Sequence, residues 1–131
     1  MIAIDTSALI AVLEREPEGD RFIDIMGDAE RCLISAVTLH EAAAVAQGRH
    51  RARGLDDLWS LCELISAEIV PFDEVQSRLA IAAFGTYGKG IHSTARLNLG
   101  DCASYALSNA MNAPLLYKGN DFAATDIISA V

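Results

Sequence analysis

Short apolar runs alternate with longer segments of helical periodicity along the whole of this chain. The run "MIAID" reads as a buried strand, and "TSALIAVLERE" follows it with Leu9, Ile10 and Leu13 at helical spacing. Thr6 or Ser7 is the expected cap of that helix. Pro17 opens a second helical segment, "PEGDRFIDIMGDA", with Phe22, Ile23 and Met26 on its inner face. "RCLIS" is a second strand, and "AVTLHEAAAVAQG" is a helix with Gly48 as its expected C-cap. "LDDLWSLCELISA" is a separate helix with Leu58, Leu61, Cys62 and Ile65 on one face. "EIVPF" is a third strand, followed by the helix "DEVQSRLAIAAFGTYG", capped by Asp73. A glycine-rich loop, "GKGIHSTARLNLG", leads into the helix "DCASYALSNAMNA". "PLLYK" is a fourth strand, and "TDIISAV" adds a short fifth. This order predicts an α/β domain with a mostly parallel central sheet of four to five strands and helices on both faces. Sites in such sheets form beyond the carboxyl ends of the strands.

At 131 residues the chain is expected to form one domain, residues 1–131. A chain of this size buries roughly two-thirds of its unfolded surface, so its core needs no disulfide or structural metal. No apolar run reaches the ~18 residues of a spanning helix. The N-terminal run carries Asp5 and no basic leader, so it reads as a strand and helix rather than a signal peptide, and the expected compartment is the cytoplasm. Cys32, Cys62 and Cys102 are widely spaced, form no CxxC pair and read as buried free thiols. A net charge of −8 argues against holding nucleic acid by bulk charge. It leaves room for an acidic centre with a local basic rim, and it suits docking of a basic partner.

Four acids stand where strands or helices are expected to begin or end: Asp5, Glu41, Asp101 and Asp121. Their neighbours are mostly apolar, and an acid in such a setting costs free energy unless a cation or hydrogen bonds compensate it. Mg²⁺ and Mn²⁺ prefer hard oxygen ligands and keep several waters. Acids from different elements suit such an ion because each approaches from its own direction, and the ion then neutralises charge building on a phosphate. Each acid also has a structural reading. Asp101 and Asp121 suit helix caps, and Glu41 suits a solvated helix face.

These residues carry a family resemblance. The segments "IDTSAL", Glu41 after the second strand, "YGKGIHSTARLNLGDCASYAL" and "PLLYKGNDFAATDI" resemble the PIN-domain ribonucleases, specifically the VapC-type toxins of bacterial toxin–antitoxin pairs. The resemblance covers nearly the whole chain. It implies a PIN-like three-layer α/β/α domain, RNA cleavage dependent on Mg²⁺ or Mn²⁺, and a VapB-type antitoxin partner. It further implies a homodimer or a hetero-oligomer with that antitoxin, and a structured target of the tRNA or rRNA class. The family's acids carry over onto Asp5, Glu41 and Asp101. The family often ends its site with a Thr-x-Asp-x-Asp-Phe segment. Here the stretch is "YKGNDF", so Gly119 stands at the first acid of that pair and Asp121 remains. Asp5 and Asp101 are the expected direct metal ligands. Glu41 and Asp121 bind directly or through water, and Thr6 and Ser7 steady Asp5 by hydrogen bonds.

Basic residues complete the expectation. Lys89, His92 and Arg96 in the glycine-rich loop, with Lys118, are expected to contact the RNA backbone. Arg49, His50, Arg51 and Arg53 form the densest positive run; it reads as a substrate contact, an antitoxin contact or a solvated interhelical loop. Tyr87, Tyr105 and Tyr117 read as packing residues. Other classes stay in view. A non-catalytic PIN-fold partner-binding module and a metal-dependent DNA nuclease both suit the residues. A phosphoacceptor domain fits poorly, since it wants an acidic pair after the first strand and Asp5 is followed by Thr6.

Overall fold

Side chains of the first strand alternate between two hydrophobic cores. In the computed structural model, which describes residues 1–131, β1 spans Ile2–Ile4. Ile2 and Ile4 enter one core and Ala3 enters the other. Alternate strand residues point to opposite faces, so a sheet covered on both sides must be apolar at every position. The same division holds in β2 (Cys32–Ser35), where Cys32 and Ile34 face one core and Leu33 the other. It holds again in β4 (Leu115–Leu116).

The first core is closed by α1 (Thr6–Leu13), α2 (Gly19–Asp28) and α3 (Ala36–Leu64) through Leu9, Phe22, Met26, Ala42, Leu58 and Leu61. The second is closed by α4 (Glu74–Tyr87) and α5 (Leu99–Met111) through Ala80, Ala83, Cys102, Tyr105, Ala106 and Leu107. The result is the three-layer α/β/α arrangement. The sheet is all parallel in the order β3-β2-β1-β4, with β3 at Glu68–Val70. The chain leaves β1 toward β2 and β3, then crosses back over α4 and α5 to place β4 on the other side of β1. Strand order therefore reverses between β1 and β4, and the crevice beyond their carboxyl ends is where a parallel sheet offers a binding site.

Several local expectations are corrected. The segment "TDIISAV" makes one bridge, Leu115 to Ser129, and no fifth strand. Gly48 lies inside α3 and does not end it. The break falls at Arg51, with φ 58° and ψ −142°. Its physical setting is the contact of the two limbs of α3, because a Cβ on Gly54 would overlap the Ala46 carbonyl. "GRHRARG" therefore lies at the tight bend between two helical limbs, the second of which is the separate helix expected from "LDDLWSLCELISA". The cap of α1 is Asp5, which accepts a 3.0 Å bond from the Ser7 amide, rather than Thr6 or Ser7. Asp73 caps α4 through the Gln76 amide. Cys32 and Cys102 are buried and Cys62 is half-buried, all as free thiols. Burial, with Asp101 adding to it, pushes the Cys102 thiol up to about 11, so it stays protonated and inert. No helix is long and apolar enough to cross a membrane.

Candidate active site

Asp5 leaves the end of β1 at the crevice and is 3% exposed. A carboxylate so deeply placed needs donors, and it has them on both oxygens. Oδ2 accepts from the Ser7 amide at 3.0 Å and from the Ser7 hydroxyl at 2.6 Å. Oδ1 accepts from the Ser104 hydroxyl at 2.6 Å. Ser7 Oγ in turn accepts from the Lys118 amide at 2.9 Å, which fastens the end of β4 to the end of β1. Ser104 Oγ lies 3.1 Å from Thr38 Oγ1. Because the Ser104 proton goes to Asp5, Thr38 is the donor of that second bond. A buried relay thus runs from Thr38 on α3 through Ser104 on α5 to Asp5.

Asp101 reaches the same crevice from the first turn of α5. It shares a reciprocal cap with Asn98: the Asn98 side chain accepts from the Asp101 amide at 2.8 Å, and the Asp101 carboxylate accepts from the Asn98 amide at 3.0 Å. Burial is the chief force raising the Asp101 carboxyl from its ordinary 3.8 to about 7. The Asn98 bond opposes the rise, and the charges of Asp5, Asp121 and Glu41 add to it. Glu41 projects from the second turn of α3, and its Oε1 accepts a 2.5 Å bond from the Thr6 hydroxyl.

Asp5, Thr6, Ser7, Glu41, Asp101 and Asn98 line an open cleft of about 480 Å³. Arg49, Lys118, Glu16 and Gly119 stand around it. Asp121 is exposed, outside the lining, yet near enough for its charge to act on Asp101. Gly119 holds φ +93° with open space where a side chain would project. Lys118 is engaged by Glu16 at 2.7 Å and Glu18 at 3.1 Å. Lys89, His92 and Arg96 line a separate pocket in the loop between α4 and α5. His50 pairs with Glu14 at 2.8 Å, leaving Arg49 as the member of the basic run that faces the cleft. Tyr105 packs against Tyr87 with ring centroids 5.9 Å apart and donates to Asp126 at 2.7 Å.

Ser104, Thr38, Asn98 and Gly100 enter the site without having been singled out in the sequence. Ser104 had a readable signal, since it lies one turn after Asp101 and so shares its helix face. Thr38 and Gly100 had none.

The span of chain that builds the sheet and carries these acids is matched by a known family. The PIN domain model matches residues 2–128. The chain belongs to the PIN-domain family. This PIN domain is 37% identical to Ribonuclease VapC28 of Mycobacterium tuberculosis, over 98% of this chain and 96% of that one. It also matches the crystal structure of VapC20 of Mycobacterium tuberculosis, described as a sarcin–ricin loop cleaving toxin. That match has a TM-score of 0.79 at 13% identity, over 98% of this chain and 97% of that one. A toxin–antitoxin complex from Klebsiella pneumoniae matches with a TM-score of 0.73 at 17% identity, covering 100% and 98% of the two chains. The last two likenesses show the PIN fold.

The donor set of this PIN domain suits a hard divalent cation. All four acids present oxygen, and the mutual repulsion that raises Asp101 is of the kind a cation relieves. The side chains do not close into a complete cage of three or more ligands. Mg²⁺ commonly keeps waters and substrate oxygens in its remaining positions.

Proposed function

We propose that this chain is an endoribonuclease of the VapC type, dependent on Mg²⁺ or Mn²⁺, and that a VapB-type antitoxin holds it inactive. The observation that carries this reading is the gathering of Asp5, Glu41 and Asp101 from distant parts of the chain into one cleft, with Arg49 on its rim. Relatives named as VapC ribonucleases support RNA as the substrate.

Asp5 and Asp101 would hold the cation, with Glu41 and Asp121 as its further oxygen donors. When bound, the cation supplies Lewis acidity and neutralises charge on the phosphate. The protein groups do the rest. Ser7 and Ser104 fix the direction of the Asp5 lone pairs. Glu41, steadied by Thr6, accepts a hydrogen bond from the attacking water and orients it in line with the scissile bond. As the water oxygen bonds to phosphorus and loses a proton to solvent, the bond from phosphorus to the leaving sugar oxygen breaks and that oxygen takes up a proton. Arg49 offers its planar guanidinium to the phosphate oxygens.

An antitoxin segment bearing Arg or Lys fits the same acidic cleft and would exclude both the cation and the RNA. Val75, Ile81 and Leu99 leave apolar surface exposed on α4 and α5, which suits a chain that works in an assembly.

The test is cleavage of total cellular RNA by the purified chain with Mg²⁺, Mn²⁺ or EDTA, beside an Asp5→Asn variant. A few discrete cuts, absent with EDTA and in the variant, are expected. No cleavage by the folded, antitoxin-free chain with either metal would favour a non-catalytic binding module. Equal cutting of DNA would favour a general nuclease.

A further inference from the structure

Acidic residues are missing from one long stretch of this acidic chain. No Asp or Glu lies between Glu74 and Asp101, while Arg78, Lys89 and Arg96 do. Arg78 is engaged by Glu74 at 3.2 Å, just as Arg31 is by Glu68 and Lys118 by Glu16 and Glu18. Lys89 and Arg96 have no acidic partner. With Gly90, His92 and Ser93 they line a pocket of about 270 Å³ to which no apolar side chain contributes.

The loop that builds this pocket is held in shape. Gly88 bridges Leu97, the Lys89 amide donates to the Leu97 carbonyl at 3.0 Å, and the Leu97 amide donates to Tyr87 at 3.1 Å. Ala95 and Leu97 are fully buried beneath it. His92 packs at a tilt against Tyr87 with centroids 5.7 Å apart, and its Nδ1 accepts from the amides of Thr94 at 3.0 Å and Ala95 at 2.8 Å. An Nδ1 that accepts two bonds carries no proton, so the neutral ring holds its proton on Nε2 and presents a fixed donor there. The loop runs from the end of α4 to the start of α5, the end that carries Asp101 into the cleft.

We propose that this pocket is a phosphate-binding subsite for single-stranded RNA. It would hold a backbone phosphate displaced along the strand from the one at the Asp5–Asp101 cleft. Lys89 and Arg96 supply uncompensated charge, and His92 Nε2 supplies a directed neutral donor. The proposal rests on the ribonuclease reading for its choice of ligand. It also separates the loop cations from Lys118, whose charge is already met by Glu16 and Glu18.

The experiment is fluorescence anisotropy of a labelled single-stranded RNA of mixed sequence, in EDTA so that nothing is cut, over a salt series. Circular dichroism confirms that each variant is folded. A Lys89→Ala, Arg96→Ala double variant should weaken binding at low salt by at least about tenfold. It should also lower the salt slope by about 0.7 for each phosphate no longer neutralised. His92→Asn keeps an oxygen where Nδ1 accepts but lacks the outer donor, so it should weaken binding less. Arg78→Ala should bind as wild type does. Unchanged affinity and slope in the double variant would overturn the subsite. So would an equal loss in Arg78→Ala, which would report bulk charge. Loop-dependent binding of a poly-glutamate peptide in place of RNA would also overturn it, in favour of an acidic protein partner. A wild-type chain that binds RNA through the loop yet cuts none with Mg²⁺ or Mn²⁺ would instead remove the ribonuclease reading and leave the subsite standing.

Discussion

The Glu41 carboxylate fills the space in which residue 100 would otherwise carry a side chain. A Cβ built on Gly100 would lie 2.8 Å from both Cδ and Oε1 of Glu41. The glutamate tip is flexible, so the carboxylate and not helix α5 would yield. Gly100→Ala should therefore leave the fold intact, or stabilise it by up to about 1 kcal/mol through helix propensity. RNA cleavage should fall at least about tenfold, because displacing a group that orients a reactant is costly. Thermal melts beside single-turnover cleavage read the two effects separately. Wild-type activity in Gly100→Ala would show that Glu41 need not sit where it does.

Asp101 gives the metal-free protein a definite pH response. Its carboxyl is raised from 3.8 to about 7, chiefly by burial. Below the lower value both folded and unfolded chains are protonated, and the contribution is fully present. As pH rises toward 7 the unfolded chain releases its proton first, so folding stability is lost across that window. Asp101→Asn keeps an acceptor for the Asn98 amide and removes the charge. In EDTA it should match wild type near pH 4 and exceed it near pH 8 by on the order of 2 kcal/mol, after allowing for screening from the open cleft. Urea denaturation at several pH values measures the gap, and a gap that does not vary with pH would contradict the assignment.

The hydroxyl relay behind Asp5 can be taken apart in two steps. Ser104→Ala leaves the Thr38 hydroxyl buried without its partner, which should cost about 1–3 kcal/mol. Adding Thr38→Val removes the orphaned hydroxyl and should recover only that hydroxyl's share, because Asp5 Oδ1 stays without its donor. Activity should remain depressed in both variants, since Asp5 Oδ1 has lost its donor in each. Recovery of activity together with stability would mean that Ser104 matters only for packing.

Gly119 offers a direct measure of what the missing acid contributes. Gly119→Asp places a carboxylate in open space at the cleft, at a backbone angle that a side chain tolerates poorly. It should lower stability by about 1–2 kcal/mol. It should also strengthen Mn²⁺ binding, read by calorimetry and by a larger rise in melting temperature with added metal. Asp5→Asn should abolish that rise in either background. A Gly119→Asp protein with unchanged affinity for Mn²⁺ would show that position 119 is not a ligand position in this chain.

The layering of the fold was legible because the signals were local and repeated. Apolar strands and helical spacing set the order of elements, and the acids at β1 and α5 stood out against apolar neighbours. What escaped depended on contacts distant in sequence. The hairpin of α3 turns at Arg51 because Gly54 packs on Ala46, and nothing local marks that turn in place of Gly48. Ser104 and Thr38 are ordinary helix residues until the fold brings them together behind Asp5. Gly100 read as the tail of a glycine-rich loop, whereas its missing side chain is what admits Glu41. Lys118 read as an RNA-backbone contact, and its pairing with Glu16 and Glu18 was hidden because they lie far from it along the chain.

Asp5 caps α1, and Asp101 shares the cap of α5. Each carboxylate thus caps a helix beside the metal-holding role proposed for it, and the two duties differ in what they tolerate. Helix capping accepts Asn or Ser nearly as well as Asp, while alanine forfeits about 1 kcal/mol. A divalent cation makes no such allowance. Inheritance of this gene therefore has a graded route to silence: single changes to Asn or Ser extinguish the chemistry while the folded surface survives. A lineage that has lost the activity could go on sequestering whatever protein its ancestor was held by.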